Sequence, residues 1–519
     1  MKIYTIIYII LSFLLYQHTN AQDVTVEVNL SAPLVKSRFH IGVTHTHGFW
    51  EYGNQQAVER ATNLLIKGIG FQNQHIMGWG AGNPEPESGV FQWNDLDHRV
   101  ELMNSIDTPM IITFCTAPGW MKGTDDWAME EDVQDAYTDD FASLCTSVAI
   151  RYPQVMYFQV WNEMKGYWSS SLNNWDYIRY TALYNTVYDA VKSARPDARL
   201  GGPYLVVQGD GGSELGKSGR DTFVPVGSRD WDVINYWLEN KHGADFFCID
   251  YGLIDYHDPN QYSKADKMKL TKHFGRIVQQ ISAKTDLPII ISEFYGGSDE
   301  TDAQFTAANH ASCYYHATIN GAAVGLIWNP EEGEIDNYLF TDTQSPDGGQ
   351  PAPHYAVVKA VNDYFSEGTQ LYQTTTSAEN VEAMASAEKT MVINKTENDI
   401  TVRVNGKAVE LTKYEVRVID TPLQTDVRDF EGTEDPVIKL SYMNARPLLQ
   451  IYTPVRTAIN IRIYDLLGRK IKEESMSLNA RTGNTINLLH DTIHHAAGIY
   501  FVAIRGLRKI TVIRFLLIK

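Results

Sequence analysis

The chain has 519 residues, 44% of them hydrophobic, and a formal net charge of −19. This length suits one large domain with one or two smaller ones. The negative charge argues against nucleic acid or an anionic membrane as a partner, because binding to phosphates depends mainly on Lys and Arg.

Residues 1–21 predict a secretory signal peptide. Lys2 precedes an apolar run over residues 3–16, and a short polar stretch then ends at Ala21. A membrane-spanning helix needs about 20 apolar residues, so an uncleaved anchor is the less favoured alternative. We therefore expect a secreted or surface protein, exported through the periplasm, without stable membrane insertion.

From Phe39 to about Phe365, short apolar runs alternate with longer helical patterns, which is typical of a parallel sheet wrapped by helices. The predicted strands are Phe39–Thr44, Phe71–Met77, Met110–Thr113, Tyr157–Val160, Leu200–Gly202, Phe246–Tyr256, Ile289–Ile291 and Val324–Ile327. Apolar residues at intervals of three and four predict helices at Ala57–Lys67, Trp93–Asn104, Asp135–Arg151 and Trp175–Ala194.

Eight such units predict an α/β fold, a (β/α)8 TIM barrel over residues 22–365. A doubly wound open sheet is the alternative, but no Gly-rich phosphate loop follows the first strand. In a barrel, the functional residues lie at the carboxyl ends of the strands.

Beyond Phe365 the helical pattern stops, and short strands predict an accessory β-domain at residues 366–424, including Thr390–Asn394, Ile400–Val404 and Val416–Ile419. An acidic stretch predicts a linker at 425–445. Residues 446–519 carry twelve Lys/Arg and four Asp/Glu, a net charge of +8, so the rest of the chain carries −27. This change of sign and the alternating β-branched residues predict a separate C-terminal β-sandwich module.

The four cysteines are Cys115, Cys145, Cys248 and Cys313. Export permits disulfides, and four cysteines allow three pairings. Cys115 and Cys248 lie in apolar strand-like runs, where a free cysteine acts as a small hydrophobe. We expect mostly free thiols.

Two glutamates follow apolar strands and are the candidate catalytic pair. Glu163 ends the sequence Val-Trp-Asn-Glu after the fourth predicted strand, and Glu293 follows the seventh. Hydrolysis of a glycosidic bond requires a pair of carboxyl groups, one on each side of that bond. A single glutamate in a loop is more often a surface residue, but two at one barrel mouth predict a glycoside hydrolase.

Aromatic, amide and imidazole groups at other strand ends suit the apolar faces and hydroxyls of a sugar. The candidates for substrate binding from these residue types are His45, His47, Trp120, Asn162, His257, Tyr295 and Trp328. The pair His45 and His47 could suggest a metal, but no strong third ligand lies nearby in the sequence. We expect neither a metal nor a cofactor.

Trp161-Asn162-Glu163 with Ser292-Glu293-Phe294 resembles glycoside hydrolase clan A, and several stretches resemble family 39, the β-xylosidase and α-L-iduronidase family. These stretches include Phe91-Gln92-Trp93, Arg151-Tyr152-Pro153, Gly201-Gly202-Pro203 and Asn394-Lys395-Thr396. The resemblance covers about residues 39–420 and implies a retaining mechanism with Glu163 as acid/base and Glu293 as nucleophile.

The same resemblance implies that His257 and Trp328 contact the sugar and that Glu331 or Glu332 holds its hydroxyls. The exit of the sixth strand, Tyr256-His257-Asp258-Pro259, lacks the expected His-x-Tyr, which leaves xylose specificity open.

The C-terminal module resembles the sorting domains of the type IX secretion pathway in residues 460–465, 468–469 and 498–502. This resemblance implies a partnership with the type IX secretion machinery and passage across the outer membrane. An ordinary β-sandwich binding domain is the alternative.

Together these features predict a retaining, β-xylosidase-like glycoside hydrolase acting on extracellular plant or algal polysaccharides or their oligosaccharides. A hydrolase of uronic or sulfated sugar linkages in anionic algal polysaccharide, such as ulvan, is the first alternative. A catalytically idle carbohydrate-binding protein is the second. The sequence leaves the sugar, the linkage and the choice between exo and endo action open.

Overall fold

The computed structural model describes residues 24–46, 48–207, 226–253, 262–299, 301–333, 337–422, 436–443, 446–480, 483–489, 498–507 and 511–517. The predicted signal peptide and the candidate residues His47 and His257 lie outside these ranges.

Eight parallel strands form a closed barrel in which each strand pairs with its neighbours in chain order, and the last pairs with the first. In chain order these barrel strands are His40–Thr44, Phe71–His75, Met110–Phe114, Tyr157–Val160, Arg199–Val206, Phe246–Gly252, Ile289–Tyr295 and Val324–Trp328. The TIM-barrel prediction is confirmed. Large side chains from the second, third, fifth, sixth, seventh and eighth strands fill the barrel interior as a core.

Amphipathic helices surround the barrel and bury their apolar faces against it. The helices are Phe49–Tyr52, Gln55–Gly68, Asn94–Ile106, Gly119–Lys122, Thr138–Arg151, Tyr177–Ala194, Ser228–Asn240, Lys264–Leu270, His273–Ser282, Ala303–Ile319 and Pro353–Tyr364. A 3-10 turn at Asp135–Tyr137 precedes the helix Thr138–Arg151, and a short hairpin pairs Trp168–Ser169 with Asn174–Trp175. All four cysteines are buried and carry free thiols.

The accessory β-domain is a seven-stranded sheet. Its strands, in spatial order, are Lys407–Leu411, Ile400–Val404, Val24–Lys36, Gln370–Thr376, Val381–Ser386, Lys389–Asn394 and Val416–Asp420. Val24–Lys36 belongs to this sheet and not to the barrel, which corrects the expected start of the barrel at residue 22. It pairs with Gln370–Thr376 and Ile400–Val404. Backbone hydrogen bonds therefore hold the segment that precedes the barrel against segments that follow it.

The C-terminal module contains a three-stranded and a four-stranded sheet. The first comprises Val437–Met443, Arg446–Tyr452 and Gly483–Asn487, and the second comprises Lys470–Leu478, Thr457–Asp465, Gly498–Arg505 and Thr511–Leu517. Leu449 and Ile451 of one sheet share a core with Ile461 and Val502 of the other, which makes the module a β-sandwich. The strand Val437–Met443 falls within the range expected to be a linker. It belongs to the C-terminal module, because it pairs with Arg446–Tyr452.

Within the described ranges, the structure has no helix of the length and apolarity required to span a bilayer.

Candidate active site

Glu163 and Glu293 lie at the carboxyl-terminal face of the barrel. Glu163 comes three residues after the fourth barrel strand ends at Val160, and Glu293 lies near the end of the seventh. Asp250, from the sixth strand, joins them. One carboxylate oxygen of each of these three residues lies within 4.8 Å of the other two.

The backbone that carries Glu163 adopts an unusual conformation. Trp161, Glu163 and Met164 have φ angles of 70°, 49° and 52°, in the left-handed region that residues other than glycine rarely adopt. Each such residue costs about 1–3 kcal/mol. The turn is held by the Trp161 indole N–H, which donates to the Lys165 carbonyl at 2.8 Å. Packing and hydrogen bonding thus fix the direction of the Glu163 side chain.

Lys165 places a positive charge beside Glu163. Its ammonium lies 3.0 Å from Glu163 Oε2 and 2.8 Å from Glu130 Oε1. Burial lowers the pKa of Lys165, but the two carboxylates outweigh burial and raise it overall. Lys165 therefore stays protonated and pairs with both carboxylates.

Glu293 is only 4% exposed, and two tyrosines donate hydrogen bonds to it. Tyr295 Oη lies 2.5 Å from Oε2, and Tyr204 Oη lies 3.4 Å from Oε1. Both Tyr204 and Glu293 lie next to register shifts between neighbouring strands, of the kind that redirect side chains. Burial, followed by the charge of Glu163, raises the pKa of Glu293, whereas the Tyr295 hydroxyl opposes that rise.

A chain of buried polar side chains crosses the barrel beneath the carboxylates. The links run from Asn73 to Thr44 at 3.2 Å, Thr113 to Asn73 at 2.9 Å, Gln159 to Thr113 at 2.8 Å and Ser292 to Gln159 at 2.6 Å. These residues come from the first, second, third, fourth and seventh barrel strands. This series of hydrogen bonds ends at Ser292, directly before Glu293. It therefore links the seventh strand, which carries Glu293, to the fourth strand, which leads to Glu163.

An aromatic cluster follows the second and eighth barrel strands. The His75 ring lies 4.4 Å from that of Trp79 and 5.7 Å from that of Trp328, and the two indoles meet edge to face at 5.7 Å. Burial and then the Lys165 charge lower the pKa of His75 to about 3. His75 is therefore neutral. His75 and Trp328 end the second and eighth barrel strands, so the cluster lies at the same carboxyl-terminal face of the barrel as Glu163.

Among the other predicted residues, His45 and Asn162 are buried at strand ends. His45 Nε2 lies 3.1 Å from Gln72 Oε1, and burial lowers the pKa of His45 to about 4, so it is neutral. Asn162 Oδ1 has no hydrogen-bond partner within the described part of the chain. Trp120 is half-buried and donates its indole N–H to the Glu85 carbonyl at 2.9 Å, which fixes a loop.

Glu331 and Glu332 use their carboxylates to hold a neighbouring loop. Glu331 Oε1 accepts hydrogen bonds from the Thr343 amide at 2.7 Å and hydroxyl at 2.5 Å, and Glu332 Oε2 accepts from the Asp342 amide at 3.2 Å. Both carboxylates thus stabilise the loop that follows the eighth strand.

Asp250, Tyr204 and Lys165 belong to the site but are not among the residues predicted from the sequence. Asp250 had a signal, since it is the one acidic residue within the observed strand Phe246–Gly252. Tyr204 had none, because its position depends on the irregular pairing after Pro203. Lys165 lies two residues after Glu163, but only the turn brings the two side chains together.

Three carboxylates this close are also compatible with a divalent cation. The Lys165 ammonium already pairs with Glu163, and a shared proton reduces the repulsion among the carboxylates equally well. We assign no metal to this cluster.

Comparison with solved structures shows the fold. The chain is similar to SrfJ from Salmonella typhimurium, with 12% identity over 78% of this chain and 93% of that one and a TM-score of 0.53. It is similar to a conserved exported protein from Bacteroides fragilis, with 11% identity, coverage of 89% and 99% and a TM-score of 0.53. It is also similar to a monomeric β-xylosidase from Caulobacter crescentus, with 12% identity, coverage of 89% and 97% and a TM-score of 0.50.

No curated protein sequence matches the chain. Residues 445–519 match the family described as "Secretion system C-terminal sorting domain". This match confirms the prediction that the C-terminal module is a sorting domain. The chain therefore carries a type IX sorting domain behind its TIM barrel and is a protein exported to the cell surface or secreted.

Proposed function

We propose that this protein is a retaining glycoside hydrolase in which Glu163 is the acid/base and Glu293 the nucleophile. The observation that carries the proposal is the cluster at the barrel mouth, where oxygens of Glu163 and Glu293 lie within 4.8 Å of each other. Carboxyl groups about 5–5.5 Å apart suit direct attack on the sugar, whereas about 6.5–9.5 Å is needed to place a water between them. The spacing thus supports retention.

The proposed reaction has two steps. Glu163 protonates the glycosidic oxygen while Glu293 attacks the anomeric carbon, so the leaving group departs and a glycosyl ester forms. Glu163 then removes a proton from water, which displaces Glu293 and restores its carboxylate. The Tyr295 and Tyr204 hydroxyls, at 2.5 and 3.4 Å, orient Glu293 for attack.

We further propose a neutral sugar at this position. Three carboxyls within 4.8 Å disfavour a uronate or sulfate in the same space, because like charges repel strongly at low dielectric. The Trp79 and Trp328 rings offer apolar surface to the carbon–hydrogen face of a sugar. Aryl β-xylosides are the first substrates to test, since the resemblance to family 39 implies a β-xylosidase-like activity. The substrate is an extracellular polysaccharide or its fragments, because the chain is exported.

Stereochemistry and two variants test the proposal. NMR of the first product should show the anomeric configuration of the substrate. Glu293→Gln should lose turnover by a factor on the order of 10⁴ or more for every aryl glycoside, since the group that bonds to the sugar is gone. Glu101→Gln, on an exposed face of the helix Asn94–Ile106, is the control and should retain wild-type turnover.

Glu163→Ala should behave differently from Glu293→Gln. An activated leaving group needs little protonation, so bond cleavage persists while hydrolysis of the intermediate slows by about 10²-fold for want of a base. Azide should restore turnover and give a glycosyl azide of retained configuration. An inverted product, or a Glu163→Ala variant that no small anion rescues, would contradict the assignment. If the protein binds oligosaccharides but cleaves none of them, it is a catalytically idle carbohydrate-binding protein instead.

A further inference from the structure

Asp250 is a buried carboxyl in the centre of the site to which the two-step reaction assigns no role. It is 2% exposed, and its side chain joins those of Glu163 and Glu293 within 4.8 Å. Within the described ranges, neither Asp250 oxygen receives a hydrogen bond from any N–H or O–H donor. An ionised carboxylate in this position is unstable, because it is desolvated, lacks donors and faces two other carboxyls.

The three carboxyls differ in the groups that can stabilise a negative charge. Glu163 has the Lys165 ammonium at 3.0 Å, and Glu293 has the Tyr295 and Tyr204 hydroxyls. Asp250 alone has neither a cation nor a hydroxyl donor within the same part of the structure. A proton shared among the three is therefore most stable on Asp250.

We propose that Asp250 carries a proton and donates it in a hydrogen bond to Glu293, as a positioning residue that keeps Glu293 ionised and aimed at the sugar. The role in catalysis rests on the proposed function, but the protonated state does not. The proton stays on Asp250 throughout. In the first step the Glu163 proton moves to the leaving oxygen, and the bond from Glu293 to the sugar uses the carboxylate that Asp250 stabilises.

The groups that face Asp250 from each neighbouring element agree with this assignment. Tyr204 approaches from the fifth strand and Glu293 from the seventh, while Glu163 comes from the turn after the fourth. Cys248 lies on the strand of Asp250 itself, and burial raises the pKa of its thiol, so it adds no charge. Burial, then Glu293 and then Glu163, raise the pKa of Asp250 well above its ordinary value.

The first experiment detects the proton directly and needs no substrate. Infrared difference spectra of the full-length protein at pH 7 should contain the carbonyl stretch of a protonated carboxylic acid, which Asp250→Asn should remove. The control is Asp245→Asn, because Asp245 lies directly before the same strand and pairs with Lys192 at 3.0 Å. That variant should keep the band.

The second experiment follows the acid limb of kcat/KM for an aryl glycoside that the wild type cleaves, since this limb reports the ionisation of Glu293 in the free enzyme. Asp250→Asn keeps an N–H donor of the same shape and should leave the limb near its wild-type position. Asp250→Leu has the same branching at Cγ and no donor, so the limb should move to higher pH by about one to two units, the equivalent of one hydrogen bond to a charged group.

The two experiments can fail separately. If no glycoside is cleaved, the proposed function fails, while the infrared band still decides whether Asp250 is protonated. If the band is absent, or if Asp250→Asn shifts the limb as far as Asp250→Leu does, the assignment of the proton is wrong. A stoichiometric divalent ion that copurifies with the wild type and is lost in Asp250→Asn would overturn it as well.

Discussion

Glu163 and Glu293 have surroundings that oppose their proposed roles in the protein without substrate. The Lys165 ammonium, 3.0 Å from Glu163, stabilises a charge where the acid must hold a proton. Burial disfavours the charge on Glu293, where the nucleophile must be ionised. Lys165 also contacts Glu130 at 2.8 Å, so it can release Glu163 without losing an ionic partner. A sugar that binds over Glu163 would favour that exchange.

The exchange of Lys165 between Glu163 and Glu130 should affect turnover of an aryl glycoside. Glu130→Gln removes the alternative partner and leaves Lys165 paired with Glu163, so kcat should fall by about 2- to 5-fold. Lys165→Met removes the pairing itself, so kcat should not fall. A fall of similar size in both variants would contradict the exchange.

At the scale of the strands, the buried polar chain should couple stability to activity. Gln159→Met preserves the volume but leaves the Ser292 hydroxyl without its acceptor at 2.6 Å, and it removes the hydrogen bond that Thr113 accepts at 2.8 Å. Each unsatisfied buried group costs about 1–3 kcal/mol, so the free energy of unfolding in urea should fall by at least that amount. We also expect kcat to fall by about 10-fold, since Glu293 follows Ser292. Gln154→Met, at an exposed position, is the control and should change neither quantity.

All eight barrel strands were predicted from the sequence, because most of them are short apolar runs that are buried on both faces of the sheet. Tyr157–Val160 is identical in prediction and structure, and the other barrel strands match within a few residues. Val24–Lys36 was assigned to the wrong domain because its partner, Gln370–Thr376, lies more than 330 residues away and local pattern carries no information about that pairing. The same limit hid Tyr204, whose contact with Glu293 depends on an irregularity in strand pairing.

At the scale of the whole molecule, a buried ionic cluster joins the barrel to the accessory sheet. Glu382 of the sheet receives hydrogen bonds from Ser312 at 2.5 Å and His316 at 3.0 Å, both on the helix Ala303–Ile319, and pairs with Lys395 at 2.7 Å. Burial opposes the charge of Glu382, but His316 and Lys395 outweigh it and lower the pKa to about 2.

Glu382→Ala should destabilise the protein by about 3–5 kcal/mol, because it leaves the Lys395 ammonium buried and unpaired. Glu382→Gln keeps hydrogen-bonding capacity and should lose less. Urea unfolding of both variants measures the difference. Glu410→Ala, on an exposed position of the same sheet, is the control. Equal losses for the alanine and glutamine variants would mean that the hydrogen bonds contribute nothing beyond the charge.

Buried neutral histidines should make the molecule less stable in mild acid. Burial lowers the pKa of His310 to about 4, and it also holds the pKa of His354 well below its ordinary value. Both rings are held in the neutral form. His310 accepts the Gly296 amide at 3.2 Å, and His354 accepts the Tyr314 hydroxyl at 2.8 Å.

The unfolded chain binds the His310 proton near pH 6.5, whereas the folded protein does not bind it until about pH 4. The stabilising effect of the neutral His310 is thus complete above pH 6.5 and is lost as the pH falls from there towards 4. At pH 5 the loss is about 2 kcal/mol for His310, at about 1.4 kcal/mol per pH unit. Urea unfolding at pH 7.5 and pH 5 measures this loss. His310→Gln should reduce the difference between the two pH values by about 2 kcal/mol, while His98→Gln, at an exposed helical position, should leave it unchanged. A difference that His310→Gln does not reduce would show that other groups cause the loss.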